Sequence, residues 1–186
     1  MSTPGFDYQP GFLEPGEADQ LLATLWREVP WRAQHIQLFG RQVLQPRLIA
    51  WSADPGVRYS YSGLRLEATP WHPAVQALRE RLETGLHHRF NSVLLNAYRD
   101  GRDSMGWHAD DEPELGPQPV IASLSLGEQR RMLVRHARGG RSRGLDLESG
   151  SLLLMHGNSQ SDYRHAIPKT ARAVGLRVNL TFRLVR

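Results

Sequence analysis

The sequence contains no cysteine, only one lysine and no long apolar run. Without cysteine, disulfide bonds, zinc fingers and iron–sulfur clusters are excluded, so any bound metal must use histidine or carboxylate ligands. No apolar stretch approaches the roughly 18 residues that a membrane span requires. We therefore expect no membrane-spanning segment.

The remaining composition is that of one globular domain. The chain has 186 residues, of which 40% are hydrophobic and 23% are charged, and this length gives one well-buried core. The first residues lack a basic region followed by an apolar one, so we expect no secretory signal. We expect a monomer in the cytoplasm, or in the nucleus if the source is eukaryotic.

Arginine supplies nearly all of the positive charge, since it accounts for 22 of the 23 basic residues. Arginine binds phosphate bidentately, which favours a nucleic-acid partner, although genomic base composition explains the bias equally well. A local cluster is more specific, and its second half, which contains three glycines, predicts a flexible basic loop that follows a phosphate backbone. An ordinary solvated loop remains the alternative. The cluster consists of Arg130, Arg131, Arg135, Arg138, Arg141 and Arg143.

Apolar spacing divides the chain into an early helical part and a later part rich in strands. Residues 17–29 and 72–86 each carry an apolar stripe at helical spacing, and proline or Pro-Gly near each start suits a helix beginning. From Ser92 onward, short β-branched and aliphatic runs alternate with glycine or proline, which predicts several short strands. The pattern favours a single α+β domain with a sandwich, barrel or jelly-roll core.

The stretch "SMGWHADDEPELG" places a histidine and several acids close together. In an extended segment His108 and Asp110 point to the same face, so both can bind one metal ion. The pair alone is a weak signal, and a solvated loop explains it as well. His165 follows Asp110 by 55 positions in a strand-like segment, and two histidines with one carboxylate match the ligand set of non-haem Fe(II) oxygenases.

The C-terminal stretch "LRVNLTFRLV" alternates strictly between apolar and polar residues. Arg177 and Arg183 lie on the polar face, roughly 20 Å apart at the backbone. Their side chains suit the two ends of a small dicarboxylate, because a guanidinium matches a carboxylate bidentately. The alternative is a surface strand whose polar face meets solvent.

Together these motifs resemble the AlkB family of Fe(II)/2-oxoglutarate-dependent nucleic-acid dealkylases. The likeness rests on "QPRLIAW", "NAY", "WHADDE", "IASLSLG", "DYRHAIPK" and "RVNLTFR" and covers about residues 45–186. It is greatest for the branch that favours single-stranded DNA and RNA. The resemblance implies a double-stranded β-helix (jelly roll) with the N-terminal helices packed outside. It also implies a single domain, in which residues 1–44 form an extension with a nucleotide-recognition loop and residues 45–186 form the family-like core.

The resemblance further implies an activity and the residues that carry it. The activity is oxidative demethylation of bases such as 1-methyladenine and 3-methylcytosine in DNA, with RNA left open. It uses Fe(II), 2-oxoglutarate and O2, and it releases formaldehyde and succinate. The implied iron ligands are His108, Asp110 and His165, and the implied 2-oxoglutarate residues are Asn96, Tyr98, Arg177, Asn179 and Arg183.

The substrate side is less defined. Tyr61, and after it Tyr59, resembles the aromatic that stacks on the damaged base, and Asp111 and Glu112 are expected to attract a cationic methylated base. Leu38 and Phe39 resemble a finger that is pushed into a duplex, which conflicts with the single-strand likeness. Single versus double strand therefore stays open. Two rival functions also remain: a 2-oxoglutarate hydroxylase of protein or small molecules, and a metal-binding jelly roll without catalysis.

Overall fold

The described residues of the computed structural model are 3–38, 41–58, 60–61, 64–65 and 67–186. Their elements in chain order are β1 (Phe6–Gln9), α1 (Pro15–Glu28), β2 (Arg32–Leu38), β3 (Arg41–Ala53), β4 (Ser60–Tyr61), β5 (Leu64–Arg65), α2 (Pro73–Leu86), β6 (Ser92–Tyr98), β7 (Met105–His108), β8 (Ile121–Gly127), β9 (Arg130–His136), β10 (Arg143–Leu147), β11 (Leu152–Met155), α3 (Ser159–Asp162), β12 (Tyr163–Ile167) and β13 (Arg177–Arg183).

Two antiparallel sheets face each other across an apolar layer. Within the described residues the major sheet has the order β1-β11-β8-β13-β6-β3-β2, and the minor sheet has the order β10-β9-β12-β7. The layer between them contains Ile121 and Leu153 from the major sheet and Met132 and Val134 from the minor sheet. This arrangement confirms the predicted jelly roll.

The two long helices cover the outer face of the major sheet. Ala18 and Leu25 of α1 pack with Val75 and Leu82 of α2 in one cluster with the apolar side chains of the sheet. A proline near the first turn of each helix suits its start. The residue that follows the last turn of α2, His87, has a left-handed backbone and caps the helix. Both predicted helices are confirmed to within two residues at their starts.

The predicted N-terminal extension contributes strands to the major sheet. β1 pairs with β11, and β2 pairs with β3, which crosses the predicted boundary at residues 44 and 45. The division of the chain at that boundary stays a prediction. Among the described residues, the helices are too short or too polar to span a membrane.

β13 lies in the middle of the major sheet, between β8 and β6. Its apolar side chains, Val178, Leu180 and Phe182, point toward the helices and belong to the main core cluster. Its polar side chains are buried as well, because they face the space between the two sheets. The alternative of a polar face in contact with solvent is therefore wrong. The apolar and polar residues that alternate along β13 are all buried, on opposite faces of the sheet.

Replacing Phe182 with alanine tests how far the fold depends on this packing. The ring is 0% exposed and lies 6.5 Å from the Trp71 ring and 6.1 Å from the Phe90 ring between centroids. We expect Phe182→Ala to lower the free energy of unfolding by about 3–5 kcal/mol, because the cavity removes these contacts. Urea denaturation measures the change, and Val43→Ala at an exposed strand position is the control. Equal losses for both variants would contradict the assignment of Phe182 to the core.

Candidate metal centre and adjoining cavity

Two strands of the minor sheet bring a pair of histidines together. β7 and β12 are antiparallel neighbours, and their register places His108 directly opposite His165. The two ring centroids are 4.1 Å apart. Asp110 follows just after the end of β7, and one ligand atom from each of the three residues lies within 4.8 Å of the others.

Neighbouring groups fix the orientation of these side chains. The Nδ1 atom of His108 is 2.9 Å from the carbonyl oxygen of Gly106. Because a carbonyl can only accept, Nδ1 carries the proton, and Nε2 is left with a lone pair 3.9 Å from Oδ1 of Asp110. The backbone N–H of Asp110 donates to Oε1 of Gln160 at 2.9 Å, which holds the segment after the strand.

A cation from the major sheet holds the carboxylate. Nη2 of Arg183 lies 2.9 Å from Oδ2 of Asp110, and the two side chains are only 4% and 2% exposed. The other oxygen, Oδ1, is buried without a hydrogen-bond partner among the described residues. A buried acceptor left unpaired is unfavourable unless another positive group binds it.

The charge states of the three groups suit a metal ion. Burial lowers the pKa of His165 to about 3 and lowers the pKa of His108, so both imidazoles are neutral near pH 7. Burial acts to raise the pKa of Asp110, but Arg183 and the two histidines outweigh it and hold that pKa at about 2. Two neutral nitrogen donors and one ionised carboxylate are the form in which these residues bind a divalent cation. The donor set therefore fits Fe(II).

The cavity extends from this centre along the polar face of β13. Its lining contains the three residues of the metal centre and all five of the residues expected to bind 2-oxoglutarate: Asn96, Tyr98, His108, Asp110, His165, Arg177, Asn179 and Arg183. The register explains the arrangement, because Asn179 lies opposite Asn96 and Arg177 lies opposite Tyr98. The structure thus brings both sequence-predicted sets into one cavity.

Arg177 is an incompletely paired cation at the other end of β13. Its side chain is buried, its Nη2 donates to Oγ of Ser125 at 2.9 Å, and its guanidinium lies 5.2 Å from the centre of the Tyr98 ring. Its Nε and Nη1 atoms have no hydrogen-bond partner among the described residues. Burial lowers the pKa of Arg177, and an anion beside the guanidinium would compensate for the lost hydration.

The amides of the cavity are already hydrogen-bonded within the protein. Asn179 donates through Nδ2 to Oγ of Ser123 at 2.8 Å and to the carbonyl of Leu124 at 3.0 Å. Oδ1 of Asn96 accepts from Nε of Arg47 at 2.8 Å. Both amides therefore have fixed orientations before any ligand is bound.

Sequence reasoning missed two buried arginines near the site. Arg47 is buried beside Asn96, and the available signal was a charged residue directly before the apolar segment "LIAW" of β3. Arg130 belongs to the basic cluster in the sequence, but its side chain has a structural role. It is buried and donates to the backbone carbonyls of Asp100, Asp103 and Pro168 at 3.1, 2.9 and 2.7 Å.

Of the other predicted residues that the structure describes, none lines the cavity. Asp111 is exposed, and its Oδ2 lies 3.3 Å from Nη1 of Arg164. Glu112 is partly buried. Arg138, Arg141 and Arg143 are exposed on the β9–β10 hairpin. Tyr59 and Phe39 are outside the described residues, as are the side chains of Leu38 and Tyr61.

Comparison with known proteins places this geometry in a family. A sequence model of the 2OG-Fe(II) oxygenase superfamily matches residues 5–183. The solved structure of OsALKBH1 superposes with a TM-score of 0.61 at 20% identity and covers 98% of this chain and 99% of that one. At this identity the superposition shows a shared fold.

Curated relatives are closer in sequence. The chain is 40% identical over 186 residues to alpha-ketoglutarate-dependent dioxygenase alkB homolog 3 of Homo sapiens, a match that covers 95% of this chain and 64% of that protein. It is 39% identical over 180 residues to DNA oxidative demethylase ALKBH2 of Mus musculus, covering 91% and 75% respectively. The chain thus spans less than two thirds of the length of the human relative. It belongs to the AlkB family of the 2OG-Fe(II) oxygenase superfamily.

Proposed function

We propose that this protein is a nucleic-acid dealkylase that removes methyl groups oxidatively from N-alkylated bases of the 1-methyladenine and 3-methylcytosine type. It uses Fe(II), 2-oxoglutarate and O2 and releases formaldehyde and succinate. One observation carries the proposal: a single buried cavity contains a His-Asp-His donor set at one end and an incompletely paired arginine at the other. A relative named DNA oxidative demethylase supports the substrate class.

In this proposal His108, Asp110 and His165 bind the iron. The two imidazoles are neutral and Asp110 is ionised, so the ligands need to release no proton before the metal binds. The Gly106 carbonyl fixes the tautomer of His108, and such an outer hydrogen bond raises the basicity of a metal-binding imidazole. Arg183 holds the carboxylate in position and keeps it ionised.

The two arginines of β13 take opposite ends of 2-oxoglutarate. Arg183 contacts the metal-site carboxylate, so it belongs with the end of the co-substrate that approaches the metal. Arg177 lies at the opposite end of the strand and has unpaired N–H groups, so it binds the distal carboxylate. Asn96, Tyr98 and Asn179 line the wall between them and complete the co-substrate site.

The chain's own contribution to the reaction is positioning and exclusion of water. When bound, iron and 2-oxoglutarate supply the oxidising chemistry that converts the base-linked methyl group into a hydroxymethyl group, which leaves as formaldehyde. Met105, Met132, Met155 and Ile167 form much of the apolar part of the wall, together with three leucines. These side chains keep the reacting atoms away from bulk water, while the histidines and arginines hold their ligands without rearrangement.

The substrate base enters at the mouth of the cavity. Asp111 and Glu112 directly follow Asp110, so their negative charge lies where it attracts a methylated base that carries a positive charge. Tyr61, or Tyr59, stacks on the base, and Leu38 and Phe39 open a duplex where one is presented. Arg135, which is partly exposed, and the exposed arginines Arg138, Arg141 and Arg143 contact the nucleic-acid backbone.

Neither rival function has comparable support. A hydroxylase of protein or small molecules would use the same iron and co-substrate residues, but the curated relatives named above point to alkylated nucleic acid. A jelly roll without catalysis would not need the donor set and both arginines together in one cavity. DNA versus RNA and single versus double strand stay open. We also propose that the protein acts as a monomer in the cytoplasm, or in the nucleus of a eukaryote.

The activity is tested directly with a single-stranded oligonucleotide that carries one 1-methyladenine. With Fe(II), 2-oxoglutarate and ascorbate, we expect mass spectrometry to show the loss of one methyl group, and we expect His108→Ala to show none. Succinate without loss of methyl would move the proposal to another substrate. If well-folded, iron-loaded protein forms neither product, the oxygenase function is refuted.

The orientation of 2-oxoglutarate is tested with Arg177→Gln. Removing one partner of a buried charge pair weakens binding by 2 kcal/mol or more, so we expect the KM for 2-oxoglutarate to rise by roughly 30-fold or more. Ser125→Ala removes only the hydroxyl that accepts from Arg177, and we expect a rise below about tenfold. An unchanged KM in Arg177→Gln would refute the assignment of the distal carboxylate.

The metal ligands are tested without turnover. Adding Fe(II) anaerobically to metal-free protein at about 100 times its dissociation constant should raise the free energy of unfolding by about 2.7 kcal/mol. We expect Asp110→Asn to abolish most of the resulting shift in Tm and a chelator to reverse it in the wild type. Asp111→Asn removes the next carboxylate along the chain and is the matched control. Equal responses of the two variants to metal would contradict the ligand assignment.

A further inference from the structure

At one end of the strands of the minor sheet, the metal centre lies close to several arginines. The order β10-β9-β12-β7 is antiparallel throughout, so β7 and β9 end where β12 and β10 begin. His108 therefore lies at the same end as Arg164 near the start of β12, Arg135 near the end of β9, and the β9–β10 hairpin. Basic residues that are far apart in the sequence thus converge at the end of the minor sheet that carries His108.

Two of these arginines form a cross-strand pair of like charge. The register of β9 and β12 places Arg135 directly opposite Arg164, next to the pair Val134 and His165. His165 and Val134 face the interior, so the two arginines are on the outer face of the sheet. Directly opposite residues have Cβ atoms about 4.5–5.5 Å apart, and like charges in that position destabilise a sheet. A bound anion would convert this repulsion into attraction.

Neighbouring groups hold both guanidinium groups on this outer face. The guanidinium of Arg135 lies 4.2 Å from the ring centre of Trp107, and that ring is 38% exposed. Arg164 lies 3.3 Å from the carboxylate of Asp111 and donates to the backbone carbonyl of Gln160 at 3.3 Å. Among the described residues the salt bridges include none for Arg135, and both arginines are partly exposed. The pair is therefore preorganised and accessible.

We propose that Arg135 and Arg164 together clamp one phosphate of the strand whose base enters the cavity. The inference rests on the proposed function, since it names the contact by which that site holds a polymer. A phosphodiester suits the pair because its two free oxygens can accept from two guanidinium forks at once. Trp107 keeps Arg135 in place, and the exposed hairpin arginines continue the track for neighbouring phosphates.

The clamp is tested by binding of a fluorescein-labelled, undamaged dT12 strand over a range of salt concentrations. One phosphate contact with a single strand contributes a slope of about 0.7 in the salt dependence, which corresponds to about fivefold in affinity at 0.1 M salt. We expect Arg135→Gln and Arg164→Gln each to weaken binding about fivefold. Because both side chains hold the same phosphate, the double variant should lose clearly less than the product of the single losses.

Arg27→Gln is the matched control, since it removes one positive charge from an exposed arginine that pairs with Glu28 on α1. Retained binding in both cross-strand variants, equal to that of the control, would overturn the clamp. A multiplicative loss of about 25-fold in the double variant would also overturn it, because the two arginines would then hold separate phosphates. Melting temperatures of all variants verify that they are folded.

Turnover separates failure of the clamp from failure of the proposed function. We expect the Arg164→Gln variant to lose more activity on a methylated oligonucleotide than on free 1-methyladenosine, which has no phosphate. An equal loss on both substrates would mean that Arg164 supports His165 rather than phosphate, and it would overturn the clamp. A wild-type protein that neither binds the strand nor demethylates it would refute the proposed function itself.

Discussion

An ion pair between the two sheets organises the cavity. Arg183 comes from the middle of the major sheet, and Asp110 follows a strand of the minor sheet. Removing both charges from water is unfavourable, and a single contact between them compensates only in part. The second oxygen of Asp110 has no hydrogen-bond partner among the described residues, and together with the neutral histidines beside it it offers a site for a further cation. The metal centre can be understood as the completion of this buried charge pair.

The central position of β13 explains how one strand can carry the residues that we propose for the co-substrate. A central strand is covered on both faces, here by two helices on one side and by the minor sheet on the other. The apolar side chains of β13 therefore pack in the core on one face, and its polar side chains line a buried cavity on the other. Arginine suits that polar face because its guanidinium stays charged after burial and fixes a carboxylate through two parallel hydrogen bonds.

Local patterns in the sequence were sufficient for the elements but not for their contacts. Helical spacing located α1 and α2, and the period of two located β13 together with its two faces. The convergence of His165 with His108 depends on a register between strands that are far apart in sequence, and only the family resemblance supplied it. Charge density could not separate Arg130 from the exposed arginines of the same cluster, because a guanidinium that binds three backbone carbonyls has the same sequence context as one in solvent. Charge density could not predict the pairing of Arg135 with Arg164 either. The pairing depends on the register between β9 and β12, and Arg164 is the only arginine in β12.

The division of the site between two sheets also affects how the protein responds to its surroundings. The residues of the metal centre belong to the minor sheet or follow one of its strands, whereas both arginines that we propose for 2-oxoglutarate belong to the major sheet. Small ligands held from both sides would act as cross-links in addition to the apolar contacts and the Arg183–Asp110 ion pair that join the layers. Separation of the layers would then require release of the ligands. The local supply of iron and 2-oxoglutarate would therefore affect the lifetime of the folded state as well as the rate of turnover.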